Sequence, residues 1–180
     1  MVLRKFCPNQ HVDSLAGIDL EALAQAGIKG IIVDVDNTLV EWDKEVLSEA
    51  SVSWVKRAKE LGLGVCIVSN GKEERVARFA GELEVPGFAK AIKPRKKGFL
   101  KALEVLGTKP EETAIVGDQL FTDVLGGNRT GLYTIWMTPL SDKELFSTKC
   151  MRRLEQQITR KLEERGMLCR ETSRDEEKAG

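Results

Sequence analysis

Apolar and polar positions along this chain follow two alternating periods. Between residues 30 and 137, short apolar runs take turns with stretches in which apolar side chains recur every three or four positions. Ile31-Ile32-Val33, Val65-Cys66-Ile67-Val68 and Thr113-Ala114-Ile115-Val116 are brief, rich in β-branched residues and bounded by polar residues or glycine, as buried strands are. Ala89 to Ile92 predicts a weaker strand and Tyr133 to Met137 a fifth. Asp43 is a candidate N-cap, after which Val46, Leu47, Trp54, Val55, Ala58 and Leu61 keep helical spacing until Gly62. Further helices are predicted from about Lys72 to Leu83, stopped by Pro86-Gly87, from about Gly98 to Leu106, and from Asp123 to Arg129. A short capped helix, Asp19 to Ala26, closes on Gly27 before the first strand. After the last strand, Cys150 to Gly166 is helical, with Met151, Leu154, Ile158 and Leu162 along one stripe.

Strand and helix in steady alternation predict an α/β fold, a parallel sheet covered on both faces. The length fits one domain over residues 1–166, with a core at about 28–138, a C-terminal helix at about 150–166 and a charged, disordered tail at 167–180. In such sheets ligands bind beyond the carboxyl ends of the strands. Asp34 and Asp36, Ser69, Lys93 and Asp118 each stand at or just past a predicted strand end. Four strands thus deliver carboxylates, a hydroxyl and an amine to one edge.

Composition narrows this picture mainly by exclusion. Formal net charge is zero, so any electrostatic partnership must come from a local patch, and nucleic acid is not indicated. The four cysteines have no metal-like spacing, and Cys66 lies in an apolar run, a usage that fits a reducing compartment such as the cytosol. No signal-peptide pattern and no membrane-spanning apolar stretch is present. His11, the single histidine, rules out multi-histidine metal sites, and its polar setting reads as a surface loop. Gly62-Leu63-Gly64 is only a fragment of a dinucleotide fingerprint, and no phosphate-binding P-loop motif occurs.

Two carboxylates spaced two apart, at the point where an apolar strand gives way to a loop, face one side while the chain stays extended. Asp34 can then attack phosphorus while Asp36 handles protons. Asp34, Asp36, Asp118 and Asp123 beside a phosphate require a hard divalent cation, magnesium the expected one. Lys93 adds positive charge, and Ser69 with the backbone around Asn70 and Gly71 supplies hydrogen bonds to phosphoryl oxygens. Arg95, Lys96 and Lys97 read as a solvated basic face, although Lys96 and Lys97 open a helix where positive charge is disfavoured.

Asp34-Val35-Asp36-Asn37-Thr38, Ser69-Asn70, Lys93-Pro94 and Gly117-Asp118-Gln119-Leu120-Phe121-Thr122-Asp123 resemble, in order, the four motifs of the haloacid-dehalogenase (HAD) superfamily. With Phe6-Cys7-Pro8 and Gly27-Ile28-Lys29-Gly30, the chain is similar to subclass IIIA, and within it to the YqeG type related to phosphatidylglycerophosphate phosphatases. The resemblance implies a Rossmann-like three-layer α/β/α fold, a phosphatase with Asp34 as nucleophile, and Asp36 as general acid and base. It implies Mg2+ held by Asp34, the Asp36 carbonyl and Asp118, with Asp123 in support. Thr38, Ser69, Asn70 and Lys93 are the expected substrate-binding residues.

The intervals from Asp34 to Ser69 and from Ser69 to Lys93 are too short for an inserted cap domain, so an open site and a large or surface-presented phosphomonoester are expected. Phosphatidylglycerophosphate is the leading substrate. The basic C-terminal helix packs on the domain, or it touches a membrane surface as a peripheral contact. The alternative is a binding or assembly factor, or a phosphatase acting on a protein or nucleic-acid partner. A receiver domain is disfavoured because its acidic pair precedes the phosphorylated aspartate.

Overall fold

The computed structural model describes residues 3–141 and 146–167, with backbone alone for 146–153. The tail expected at 167–180 lies, from residue 168 on, outside the described residues, as does the side chain of Met151.

Six strands form one parallel sheet: β1 Gln10–Val12, β2 Gly30–Val33, β3 Gly64–Val68, β4 Gly87–Phe88, β5 Thr113–Gly117 and β6 Tyr133–Met137. Their order is β1-β6-β5-β2-β3-β4, which puts β2 and β5 at the centre. Ile31 lies opposite Val65 on one side and Ala114 on the other, and all four residues of β2 are buried. That two-sided burial explains an unbroken apolar run where a half-exposed strand would alternate. Cys66 is fully buried, and burial pushes its thiol up to about 12, so it is an inert core residue.

Helices cover both faces: α1 Leu20–Gln25, α2 Glu49–Glu60, α3 Glu73–Leu83, α4 Lys96–Leu106, α5 Leu125–Thr130 and α6 Phe146–Glu164. The larger apolar cluster gathers α1, α2 and α3 against one face through Leu23, Trp54, Val55, Phe79 and Leu83. The smaller one packs Phe99, Ala102 and Leu103 of α4 on Ile32, Cys66 and Ile115. Gly126 and Gly127 of α5 let its backbone close on Phe99 and Ile115, where a Cβ would collide. The architecture is the expected three-layer α/β/α sheet. Among the described residues only α2 and β3 fill the interval from Asp34 to Ser69, and only α3 and β4 that from Ser69 to Lys93.

Several boundaries differ from the expectation. Helix α2 begins after Ser48, whose side chain accepts from Ser51 N, and not at Asp43. Its residues 43–47 are loop, which leaves Val46 74% exposed. Two cap-type residues precede the same apolar stripe, and only the later one has its hydroxyl placed to hold a helix N–H. The weak strand is Gly87–Phe88, one step earlier than Ala89 to Ile92. Ile92 has a left-handed φ of 55° and is exposed, so those residues leave the sheet as a loop. Helix α4 starts at Lys96, two residues early. The helix expected from Asp123 opens as a π-helical turn, Leu120–Val124, before α5. His11 is not a surface loop residue: it lies in β1, 5% exposed, with its ring stacked 4.4 Å from Trp136.

No helix among the described residues is long and apolar enough to cross a membrane. Along α6, Leu162 is fully buried and Leu154 is exposed, so the stripe contributes to packing on the domain. The reading of the helix as membrane-facing gains nothing from that burial.

Candidate active site

The residues singled out from the sequence meet at the carboxyl edge of the sheet. Asp34 follows the last residue of β2, and its N–H donates to Val116 O at 3.0 Å, which carries the ladder one residue beyond the strand. Its carboxylate is buried. The chain then turns tightly: the N–H groups of Thr38, Leu39 and Val40 all point to Val35 O, and Asn37 takes a left-handed φ of 58°. Asparagine accepts that conformation more readily than most residues. The turn buries Thr38, whose hydroxyl donates to Asp118 Oδ1 at 3.3 Å.

Lys93 lies at the centre of the charge arrangement. Its ammonium is almost wholly buried, 2.9 Å from Asp34 Oδ1 and 2.6 Å from Asp123 Oδ1. Burial opposes the charged form, but Asp123 and Asp34 outweigh it and hold the Lys93 pKa above its ordinary value. The Lys93 backbone is braced from the neighbouring motif: its N–H donates to Asn70 Oδ1 at 2.7 Å, and Asn70 Nδ2 donates to Lys93 O at 3.2 Å. Asn70 therefore spends its side chain on placing the lysine. The Ser69 hydroxyl accepts from Gly71 N at 3.1 Å and is buried beside the same edge.

Asp118, directly after β5, is fully buried, and its carbonyl accepts from Trp136 Nε1 at 3.0 Å. Asp123 is seated in the π-helical turn, where its second oxygen accepts from Gln119 N at 3.1 Å. A side chain on Gly117 would run into the Asp123 carboxylate, so the glycine is what lets that carboxylate lie back along β5. Carboxylate oxygens of Asp34, Asp118 and Asp123 lie within 4.8 Å of one another. Three buried carboxylates against one ammonium leave two negative charges in a water-poor site. Such a set fits a hard divalent cation. Both oxygens of Asp123 already accept hydrogen bonds, which leaves Asp34 and Asp118 better placed to ligate.

Asp36 faces a different partner. Its carboxylate accepts from Arg75 Nε at 2.8 Å. Burial and the charge of Asp34 raise its pKa, against the pull of Arg75. A raised carboxyl keeps its protonated form closer to neutrality, which a proton donor requires.

Four residues of the site escaped the sequence reading. Arg75, from α3, donates to Asp36 and to the carbonyls of Glu41, Trp42 and Lys44, tying the loop after β2 to the acid. Trp136 and His11 back Asp118 from the far strands. Glu155 of α6, 4% exposed, accepts from the N–H of Leu120 at 2.7 Å and of Phe121 at 3.4 Å, capping the turn that carries Asp123. Each acts across many residues of sequence and belongs to no local motif. A buried acid in an otherwise charged amphipathic helix was the one available sign, and burial is not visible in sequence. Glu155→Ala is expected to lower stability by about 1–3 kcal/mol, because the buried N–H of Leu120 and the half-buried N–H of Phe121 lose their acceptor. Urea denaturation of the variant beside the wild type measures it, and an unchanged midpoint would contradict the capping role.

Comparison with known proteins agrees with this geometry. Residues 2–140 match the family described as mitochondrial PGP phosphatase. The chain is 40% identical over 166 residues to a Bacillus subtilis protein named "Probable phosphatase YqeG", covering 92% of this chain and 96% of that one. It is 28% identical to the Arabidopsis thaliana phosphatidylglycerophosphate phosphatase 1, covering 89% of this chain but only 49% of that longer protein. In fold it resembles the cobalt-bound deoxy-D-mannose-octulosonate 8-phosphate phosphatase of Haemophilus influenzae, at a TM-score of 0.53 and 16% identity over 78% of this chain and 91% of that one. The chain has the fold of a HAD-superfamily hydrolase, and it is a phosphatase that belongs to the mitochondrial PGP phosphatase family.

Proposed function

We propose that this enzyme hydrolyses a phosphomonoester through a phosphorylated Asp34, with phosphatidylglycerophosphate as substrate. The single observation that carries the chemistry is the buried group of Asp34, Lys93, Asp118 and Asp123 at the carboxyl edge of the sheet. Asp34 attacks phosphorus from a fixed position, since its backbone is pinned to β5. Asp36 gives its proton to the departing ester oxygen and then takes one from the water that attacks the phosphoenzyme. Lys93 offsets charge on the phosphoryl oxygens, and Ser69 with the following N–H groups hydrogen-bonds them.

Mg2+ is the cation we assign, held by Asp34, Asp118 and the Asp36 carbonyl, with Asp123 holding Lys93 in place; when bound it neutralises charge on the phosphoryl group. The substrate assignment draws on the family's description and on the Arabidopsis relative, and the short intervals without a cap favour a bulky ester.

The test is phosphate release from phosphatidylglycerophosphate in neutral mixed micelles, with an aryl phosphate in parallel. Chelation is expected to abolish both activities and Mg2+ to restore them. Asp118→Asn is expected to raise the Mg2+ concentration needed for half-maximal rate by at least about tenfold, the scale on which metal-site contacts act. Aryl phosphate turnover without lipid turnover would discard the lipid substrate and keep the chemistry. Full activity in chelator would discard the metal.

A further inference from the structure

A cavity of about 260 Å3 lies on the loop that carries Lys93, and the chemistry described so far does not use it. Its wall is the segment following β4 together with the first turns of α4. Lys90, Arg95, Lys97 and Lys101 line it, along with Ile92 and Phe88, and no acidic residue is among its lining residues. Lys90 pairs with Glu73 at 3.4 Å. Arg95, Lys97 and Lys101 are exposed and have no ion-pair partner among the described residues. Lys101 reaches over the Phe88 ring instead, at 5.9 Å. Three unneutralised cations around one concavity raise each other's cost, and an anion placed there lowers it.

The place of this cavity in the chain gives it a ligand. Lys93 turns its side chain inward to Asp34, while Ile92 and Arg95 on either side of it line the cavity. Two residues of chain span at most about 7 Å between Cα atoms, so one short loop carries both the lysine of the phosphoryl site and the wall of the cavity. We propose that this cavity is a subsite for a second phosphate group of the substrate, the phosphodiester one glycerol away from the phosphomonoester that is cleaved. The exposed Ile92 gives the same wall an apolar tip, which suits the acylated glycerol that follows a lipid's diester. The inference rests on the phosphomonoesterase reading above and assigns its specificity to Arg95, Lys97 and Lys101.

The test removes the membrane. The probes are the deacylated, water-soluble head group of phosphatidylglycerophosphate, which holds both phosphates, and glycerol 3-phosphate, which holds one. The readout is the ratio of their kcat/KM values. The wild-type enzyme is expected to prefer the two-phosphate probe, and Arg95→Gln with Lys97→Gln to lower that preference roughly tenfold, as two lost charge contacts would. The same loss of charge at two exposed lysines elsewhere, Lys56→Gln with Lys161→Gln, is expected to keep the preference. A ratio unchanged in the Arg95/Lys97 variant, or lowered equally in the Lys56/Lys161 variant, overturns the subsite. Hydrolysis of an aryl phosphate without hydrolysis of either probe would sink the proposed substrate instead. The two probes would then be compared as inhibitors of aryl phosphate turnover, where the same ratio supports or overturns the subsite.

Discussion

Asp34→Asn is expected to reduce phosphate release by roughly 10⁴-fold or more, the scale of losing a covalent nucleophile. An amide is nearly the same size as the carboxylate, and Asp34 is held by its backbone bond to Val116 O, so the fold should survive. Lys93 keeps its second partner, Asp123, 2.6 Å away. The loss should therefore appear in kcat with the circular dichroism spectrum and cooperative melting retained. A variant with a tenth of wild-type activity would mean that some other group attacks phosphorus. Asp36→Asn is the informative companion. It leaves the nucleophile in place and removes the proton donor, so an activated aryl phosphate with a good leaving group should suffer less than an alkyl ester.

Lys93→Met should be damaging in a second way. The side chain is buried between two carboxylates, and its removal strands them without a counter-charge. Breaking a buried pair from one side costs about 3–5 kcal/mol, a large share of the stability of a domain this size. The pH dependence has a definite sign. In the wild type, Lys93 has a folded pKa above its unfolded value, so its contribution is fully present below the unfolded pKa and fades as pH rises through the folded one. In the variant, the stranded carboxylates favour protonation in the folded state. Its deficit against the wild type should therefore shrink as pH falls and grow toward neutrality. Mg2+ should also return part of the lost stability, since it supplies positive charge to Asp34, one of the two carboxylates left without the lysine. Thermal melts over a pH series, with and without Mg2+, measure both effects. A deficit independent of pH and of Mg2+ would mean the lysine acts by packing alone.

Much of the site was legible because its chemistry is tied to strand ends. An unbroken apolar run marks a central strand, and the first polar residue after it must emerge at the carboxyl edge. That rule placed Asp34, Ser69 and Asp118 correctly with no knowledge of side-chain geometry. Lys93 was harder: the strand before it is only Gly87–Phe88, and four loop residues separate strand from lysine. The immediate neighbours Ile92 and Pro94 pointed to the lysine that lies beside Asp34, for a partly wrong reason, since Ile92 belongs to a left-handed loop and not to a strand.

What remained hidden is non-local. Strand β1 has three residues, Gln10–Val12, and no alternation long enough to register. Its place beside β6 comes from pairing with Ile135, Trp136 and Met137, more than a hundred residues away. Arg75 is one charge among several on an amphipathic helix, yet it is largely buried and clamps the loop after Asp34. Glu155, one of many charged residues in α6, is a cap for the turn that holds Asp123. In each case the partner is set by tertiary packing, which local periodicity does not encode. Asn70 was expected at the phosphate through its backbone N–H, and the second task of its side chain, hydrogen-bonded at both ends to the Lys93 backbone, was hidden for the same reason.

The most direct measurement is acid quench of the enzyme during turnover of an aryl phosphate, followed by tryptic digestion and mass spectrometry of the peptide spanning 30–44. Borohydride added to the quenched enzyme before digestion reduces an acyl phosphate to an alcohol with release of phosphate, and that stable mark should fall on Asp34 and leave Asp36 and Asp43 unchanged. An unmodified 30–44 peptide under conditions of steady turnover, or a mark on any other residue, would contradict catalysis through Asp34.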